Sequence, residues 1–349
     1  MNLQRTSVII LAAIAIGLFS VALDYAQPVF MPLVIAVLVS WILAPAVMFL
    51  NRFGVPKAVA IVLLILIILG VFFLVGLFFY NSIQSFMRSF PEYQARLQEI
   101  LDSISEALNV RFGVSPALLD DIDWTNMVRG YLLSLSGGFL DFVTSLFIVT
   151  IFLIFLLLEL PYLKTKLESA FESRTSETIG LIIEHINQQI GRYLTLKLLI
   201  SAATGFFIWL SLRIIGMEFP VIWGFAGFVL NFIPNIGSTV HFFITSLMGA
   251  IQFLPDHLGK AVAVAVAMLT IQTIIGNILD PRLQGHRLDI SPFLILFSLI
   301  FWGWLWGAVG MLLATPITVS IRIICDNVPS LKPISLLMGK GFGRSRSTG

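Results

Sequence analysis

Runs of predominantly apolar residues organise this chain, most of them near the length a helix needs to cross about 30 Å of hydrocarbon. Six of them, at 7–23, 29–50, 58–80, 142–158, 194–212 and 261–279, each read as one membrane helix. Residues 29–50 and 58–80 carry no charge, and 142–158 is bounded by Asp141 and Glu159. Glu159 and Lys197 sit near span ends, where charged side chains serve as interfacial anchors and a lysine can snorkel. Ser20, Val21 and Ala22 also admit a cleaved leader, but the next apolar run follows almost at once, which favours a membrane helix.

Two further runs are too long for one crossing. Residues 219–254 and 290–321 hold 36 and 32 residues without a formally charged side chain. The first is interrupted by Pro234-Asn235-Ile236-Gly237-Ser238, the second by Gly303, Gly307, Gly310 and Pro316. Each reads as two short helices joined by a break, either a re-entrant hairpin or a pair of short spans. Between the apolar runs, two stretches carry apolar residues at helical spacing among charges. In 91–108 these are Tyr93, Leu97, Ile100, Leu101, Ile104 and Leu108, and Ser89 with Glu92 fits a capping box that has Pro91 in the first turn. In 178–194 they are Ile179, Ile182, Ile183, Ile186, Ile190 and Leu194. Both stripes are expected to pack on the bundle or on a neighbouring copy.

The expected fold is therefore an all-α polytopic membrane protein. It has about eight hydrophobic helical regions, two of them broken and hairpin-like, plus amphipathic helices outside the bilayer. Along the chain, 1–80 supplies the N-terminal membrane helices, 81–138 an extracytoplasmic helical segment and 139–160 a further membrane helix. Residues 161–193 form cytoplasmic amphipathic helices, 194–325 a transport bundle with the broken helices, and 326–349 a basic cytoplasmic tail.

Charge placement supports this arrangement, because cytoplasmic loops are richer in Lys and Arg. With the amino terminus inside, Arg52 and Lys57 fall inside, and the four arginines of 81–138, outnumbered by seven acids, fall outside. If each long run returns to its own side, Lys164, Lys166, Arg174, Arg192, Arg282, Arg287 and the basic tail all fall inside. A single crossing at 290–321 would place that tail outside.

Composition narrows the function. With 58% apolar and only 11% charged residues, a soluble fold of this length would precipitate, so the lipid bilayer is the first partner. A formal charge of +2 with no basic stripe gives no footing for nucleic acid. The single cysteine, Cys325, allows no internal disulfide, and the four scattered histidines lack metal-site spacing. No phosphate-cradling loop and no hydrolase or zinc motif occurs, so neither an enzyme nor an ATP motor is expected and no cofactor is called for.

What remains is polarity at the breaks. A break inside a membrane helix frees N–H and C=O groups that survive only against protein or a wet cavity. Secondary transporters build midplane solute sites this way. Asn231 and Asn235 flank Pro234, and Ser238 follows Gly237; these neutral donors and acceptors suit a hydroxylated solute, or merely cap the two half-helices. Gln272, Asn277, Asp280 and Arg282 end the 261–279 run, where Asp280 and Arg282 can pair or face the pathway, or serve as an interfacial helix end. Thr315 and Pro316 mark the second break. Trp223-Gly224-Phe225-Ala226-Gly227 and Trp306-Gly307-Ala308-Val309-Gly310 lie 11 and 10 residues before Pro234 and Pro316, as an internal repeat would place them.

Several blocks carry a family resemblance. They are Pro32-Leu33-Val34-Ile35-Ala36, Leu43-Ala44-Pro45, Gly54-Val55-Pro56-Lys57 and Phe232-Ile233-Pro234-Asn235-Ile236-Gly237-Ser238. Gly276-Asn277-Ile278-Leu279-Asp280-Pro281-Arg282, the run from Leu299 to Gly307 and Leu313-Ala314-Thr315-Pro316 complete the set. In order and spacing the chain resembles the bacterial autoinducer-2 exporter family, least well over 81–138. The resemblance implies an inner-membrane exporter of autoinducer-2, a small hydroxylated signal in quorum sensing, working as a homo-oligomer with a pentamer as the best guess. Some members of that family look like Na⁺(Li⁺)/H⁺ antiporters. Position 280 is often glutamate there, so Asp280 keeps the acid with a shorter reach. Three functions stand open: export of a small polar solute by alternating access, cation/proton antiport through Asp280, and a membrane scaffold that transports nothing.

Overall fold

The computed structural model describes residues 22, 25–112, 139–159, 162, 166, 169–170, 173–233, 236–284 and 290–339. They form helices α1 (Gln27–Arg52), α2 (Lys57–Phe112), α3 (Phe139–Glu159), α4 (Ser173–Ile215), α5 (Pro220–Leu230), α6 (Ile236–Phe253) and α7 (Leu258–Ile271). A π-helical stretch, Gln272–Leu279, carries α7 into α8 (Asp280–Gln284); α9 (Pro292–Asn327), a short 3-10 turn and α10 (Lys332–Leu337) complete the order. No strand occurs among the described residues.

Six of these helical regions are long and apolar enough to cross a membrane: Gln27–Arg52, Lys57–Phe78, Glu177–Ile215, Ile236–Phe253, Leu258–Leu283 and Pro292–Asn327. Thr144–Glu159 and Pro220–Leu230 are shorter apolar helices. The expected helix at 7–23 lies outside the described residues except for Ala22. Large apolar side chains such as Leu66, Phe73, Phe155 and Trp304 stand exposed along the helices, as acyl chains require and water forbids. The protein is an all-α, multi-pass membrane protein.

Two expected boundaries dissolve. The 58–80 run and the amphipathic stretch at 91 are one helix, α2, of 56 residues and so about 84 Å long. Ser89 therefore caps nothing, and Glu92 pairs with Arg96 one turn on instead of reaching back. Pro91 lies inside the helix. Beyond the hydrocarbon, water can satisfy the carbonyl that a proline orphans, so the helix can continue through it. Likewise 178–194 runs without a break into the 194–212 span as α4.

The helices gather into two compact units. The first comprises Met1–Ile65, Thr144–Leu196 and Gln284–Gly349. Its core takes up the apolar stripe of α4, with Ile186, Ile190, Tyr193 and Leu194 packed among Leu38, Ile290, Val319 and Ile323. Trp41 Nε1 donates to Asn187 Oδ1 at 2.7 Å beside them. The stripe thus packs on its own bundle.

Within this unit α9 is bent back on itself. Its helix is interrupted at Trp306 (φ −129, ψ 19) and Gly307 (φ 61, ψ −144), a left-handed conformation that only glycine adopts cheaply. Along a straight helix Ser298 and Ala314 would lie about 24 Å apart. Here Ser298 Oγ donates to the Ala314 carbonyl at 3.1 Å, and the Ser298 and Thr318 hydroxyls meet beside it. The Ser291 N–H, at the start of the hairpin, donates to Met338 O at 2.9 Å, after its end.

The second unit comprises Leu66–Val143 and Lys197–Leu283. Its own hairpin is α5 and α6. The two ends of that hairpin meet: Glu218 N–H donates to Gln252 Oε1 at 2.9 Å, and Gln252 Nε2 donates to Gly216 O at 3.3 Å. At 11 residues α5 is about 16 Å long, half of what a crossing needs. Both broken runs are therefore helical hairpins, each with its two arms held together. The α2 arm fastens this base. Tyr93 Oη donates to Glu218 Oε2 at 2.6 Å, Arg96 donates to Gln252 O at 2.8 Å, and Phe86 meets Phe219 edge-on at 5.4 Å. Burial first, then the bonded Glu218 carboxylate, hold the Tyr93 phenol far above its ordinary value, so it stays a donor.

Each hairpin tip is closed by a glycine on a carbonyl oxygen. A Cβ on Gly237 would strike Leu230 O and one on Gly310 would strike Trp302 O, with the side chains of Ile233 and Trp306 at 3.0 Å in the two cases. These tips match; the Trp-Gly pairs that suggest a repeat do not. Trp223-Gly224 lies inside α5, whereas Trp306-Gly307 is itself the break. Gly237→Val and Gly310→Val should each cost about 1–3 kcal/mol or more by overpacking. Thermal unfolding of the purified protein in detergent measures this, and unchanged melting in either variant would contradict the close approach.

Candidate functional site

The second unit holds a polar column between its helices. On α4, Lys197, Ser201 and Thr204 recur at i, i+4 and i+7, one helical face, and all three are buried. On α6, Ser238, His241 and Thr245 recur at i, i+3 and i+7, with His241 and Thr245 buried. The hairpin can lie close to α4 because Gly205 and Gly224 face each other: a Cβ on Gly205 would come within 2.7 Å of Gly224 O. Small residues permit the same backbone approach between membrane helices generally.

The polar groups pair across these faces. Asn231, at the tip where α5 ends, donates from Nδ2 to Ser201 Oγ at 3.0 Å, both buried. Gln272 Nε2 donates to Ser238 Oγ at 2.7 Å. His241 Nε2 stands 2.9 Å from the Trp223 carbonyl, which can only accept, so that nitrogen carries the hydrogen; Thr245 Oγ1 is 3.3 Å from it. A cavity of about 20 Å³ opens among Thr204, Asn231, Ser238, His241 and Gln272, closed off by Ile208, Phe242, Met268 and Ile271. That is room for one water.

At the end of the column Lys197 Nζ lies 3.1 Å from Asp280 Oδ2, with only 4% of the lysine side chain and 19% of the aspartate exposed. Asp280 closes the π-helical stretch, its N–H donating to Ile275 O five residues back. Stretches of this kind are rare and recur at functional sites. From Lys197 to Thr204 the column runs about 10 Å along α4.

Of the residues singled out in the sequence, Asn231, Ser238 and Gln272 line the cavity, Gly237 closes the tip beside it, and Asp280 ends the column. Asn277 and Arg282 are exposed and stand outside the cavity lining. Pro234 and Asn235 lie outside the described residues. Thr315 and Pro316 are buried on the hairpin of the first unit. Asp280 pairs with Lys197, which corrects the reading of Lys197 as an interfacial anchor. The lysine sits mid-helix because α4 begins at Ser173, more than twenty residues earlier. Glu159 does bond outside the core, to the exposed Lys166. Sequence reasoning missed Ser201, Thr204, His241 and Thr245; their 3–4 spacing along apolar helical stretches was the available signal.

Multiple apolar helices around a buried polar column are the build of a membrane transport protein. The chain belongs to the AI-2E transporter family, whose profile, described as "AI-2E family transporter", matches residues 8–330. The "Putative transport protein" of Borreliella burgdorferi is 37% identical over 331 residues, covering 95% of this chain and 89% of the relative. The "AI-2 transport protein TqsA" of Escherichia coli K12 is 31% identical over 317 residues, with 90% of each chain covered. A Haemophilus influenzae relative, also titled as a transport protein of putative standing, is 30% identical over 97% of both chains. A family of transport proteins supports a role other than catalysis.

The buried pair yields a direct test. Removing one partner leaves a charge uncompensated, so Lys197→Met or Asp280→Leu alone should cost about 3–5 kcal/mol, while the double variant recovers most of it. A double-mutant cycle of melting temperatures reads the coupling, and additive losses would mean that the two groups do not interact.

Proposed function

We propose that this protein exports a small, neutral, hydroxylated solute across the bacterial inner membrane, and that autoinducer-2 is that solute. The observation that carries the reading is the lined cavity: amide and hydroxyl groups of Asn231, Ser238 and Gln272, without a charge among them, buried in a membrane-spanning unit. Such groups match hydroxyl and carbonyl functions on a solute and would be left unpaired by an apolar one, which makes them selective. The name of the Escherichia coli relative supports the same solute.

The cavity has room for one water but not for a signal molecule, so transport requires that hairpin α5–α6 or α7 move, as alternating access demands. Basic residues gathered in the loops assigned to the inside support cytoplasmic termini. The pairing of Asp280 with Lys197 favours solute export over antiport, because the candidate exchange carboxylate already has its countercharge. A scaffold would have no use for the column, whose polar groups each cost free energy to bury.

Proteoliposomes containing the purified protein should take up autoinducer-2 faster than empty vesicles. Asn231→Ala and Gln272→Ala should each lower the rate up to about tenfold, the equivalent of a lost hydrogen bond of 1–1.5 kcal/mol. Uptake equal to that of empty vesicles would remove the reading.

A further inference from the structure

The polar atoms around the cavity differ in what they have left to offer a solute. Thr204 Oγ1 spends its only hydrogen on the Ile200 carbonyl at 2.9 Å, so toward the cavity it can only accept. His241 spends its Nε2 hydrogen on the Trp223 carbonyl at 2.9 Å, with Thr245 Oγ1 3.3 Å from the same nitrogen. No carboxylate lines the cavity to balance an imidazolium, so burial keeps the ring neutral and leaves Nδ1 an acceptor. No group bonds to Nδ1 among the described residues, and the atom is not sealed inside the protein, so it borders open space. The histidine is 5% exposed and lines the cavity, which is that space. The two amides are less committed. Asn231 and Gln272 each give one N–H, to Ser201 and to Ser238, and each keeps a second hydrogen and an oxygen. Either amide can serve a donor or an acceptor; Thr204 and His241 cannot.

We infer that the cavity is the core of a site for small polyols, solutes that donate hydrogen bonds, and that His241 is its specificity-determining residue. A solute hydroxyl gives its hydrogen to Nδ1. An ether oxygen in the same place sets lone pair against lone pair and leaves the nitrogen unpaired, and a site of that kind rejects the analogue that lacks the donor. The Trp223 carbonyl fixes the choice, because it holds the ring hydrogen on Nε2. The inference rests on the transport reading and the opening it requires, but not on autoinducer-2 as the solute.

The test gives proteoliposomes of the full chain radiolabelled erythritol, a small polyol, with unlabelled competitors. Erythritol should enter faster than into empty vesicles; excess unlabelled erythritol should block it, and its tetramethyl ether should not. His241→Gln keeps a donor within reach of Trp223 and should melt like the wild type, yet take up erythritol about tenfold more slowly. His241→Asn carries its oxygen on Cγ, where Nδ1 is attached, but is too short to reach Trp223. It should melt lower and still prefer the polyol to the ether. Thr204→Val removes the other accept-only group and should slow uptake by up to about tenfold; it decides the matter if neither histidine variant folds. An ether that competes as well as the polyol would overturn the proposal. So would full-rate uptake by a folded His241→Gln or Thr204→Val protein, and so would erythritol entry no faster than into empty vesicles. Autoinducer-2 as a further competitor keeps the two readings apart: if it neither enters nor competes while erythritol does both and the ether does not, autoinducer-2 is removed as the solute and the polyol site stands.

Discussion

The main chain cannot leave its own hydrogen bonds unmet inside hydrocarbon, and this structure is arranged around the two places where a helix stops there. At each, the chain turns back within a few residues, and a glycine lets the second arm press against a carbonyl oxygen of the first, Leu230 in one hairpin and Trp302 in the other. The freed polarity is met by neighbours instead of lipid. In the first unit Ser298 donates across to the Ala314 carbonyl, which Thr318 also serves, and so ties the two arms together. In the second, Asn231 caps the tip and reaches Ser201. Asn231, which ties the tip to α4, thereby also borders the cavity.

The Asn231 amide serves the fold and the cavity together. One amide has two functional ends. Its nitrogen is committed to Ser201, and the residue still lines the cavity. The same economy holds for Ser238 and Gln272, which bond to each other and border the same space.

Much of the architecture was legible because hydrophobic length and charge are local properties. The apolar runs and the two interruptions follow from where charges are absent and where proline and glycine fall. Helix continuity was not legible in this way. Ser89, Pro91 and Glu92 have the composition of a helix start, but α2 passes through them because nothing outside the hydrocarbon forces it to end. The error over Lys197 has the same origin, since hydropathy sees the span begin near 194 while the helix began at Ser173. The column itself was only half visible: residues beside the breaks stood out, while Ser201, Thr204, His241 and Thr245 lay hidden in ordinary helices until pairing across the unit brought them together. The Trp-Gly repeat misled because short motifs mark composition, and the tips that truly match, Gly237 and Gly310, share a contact rather than a word.

The long helix α2 leaves the apolar region as an unbroken rod, and its outer arm is bonded to both ends of the α5–α6 hairpin, through Tyr93 to Glu218 and through Arg96 to the Gln252 carbonyl. A rod of this kind behaves as a lever with its far end in water. While those two bonds persist, a tilt of the hairpin must be shared by the α2 arm, so the arm and the polar column that the hairpin borders are mechanically joined.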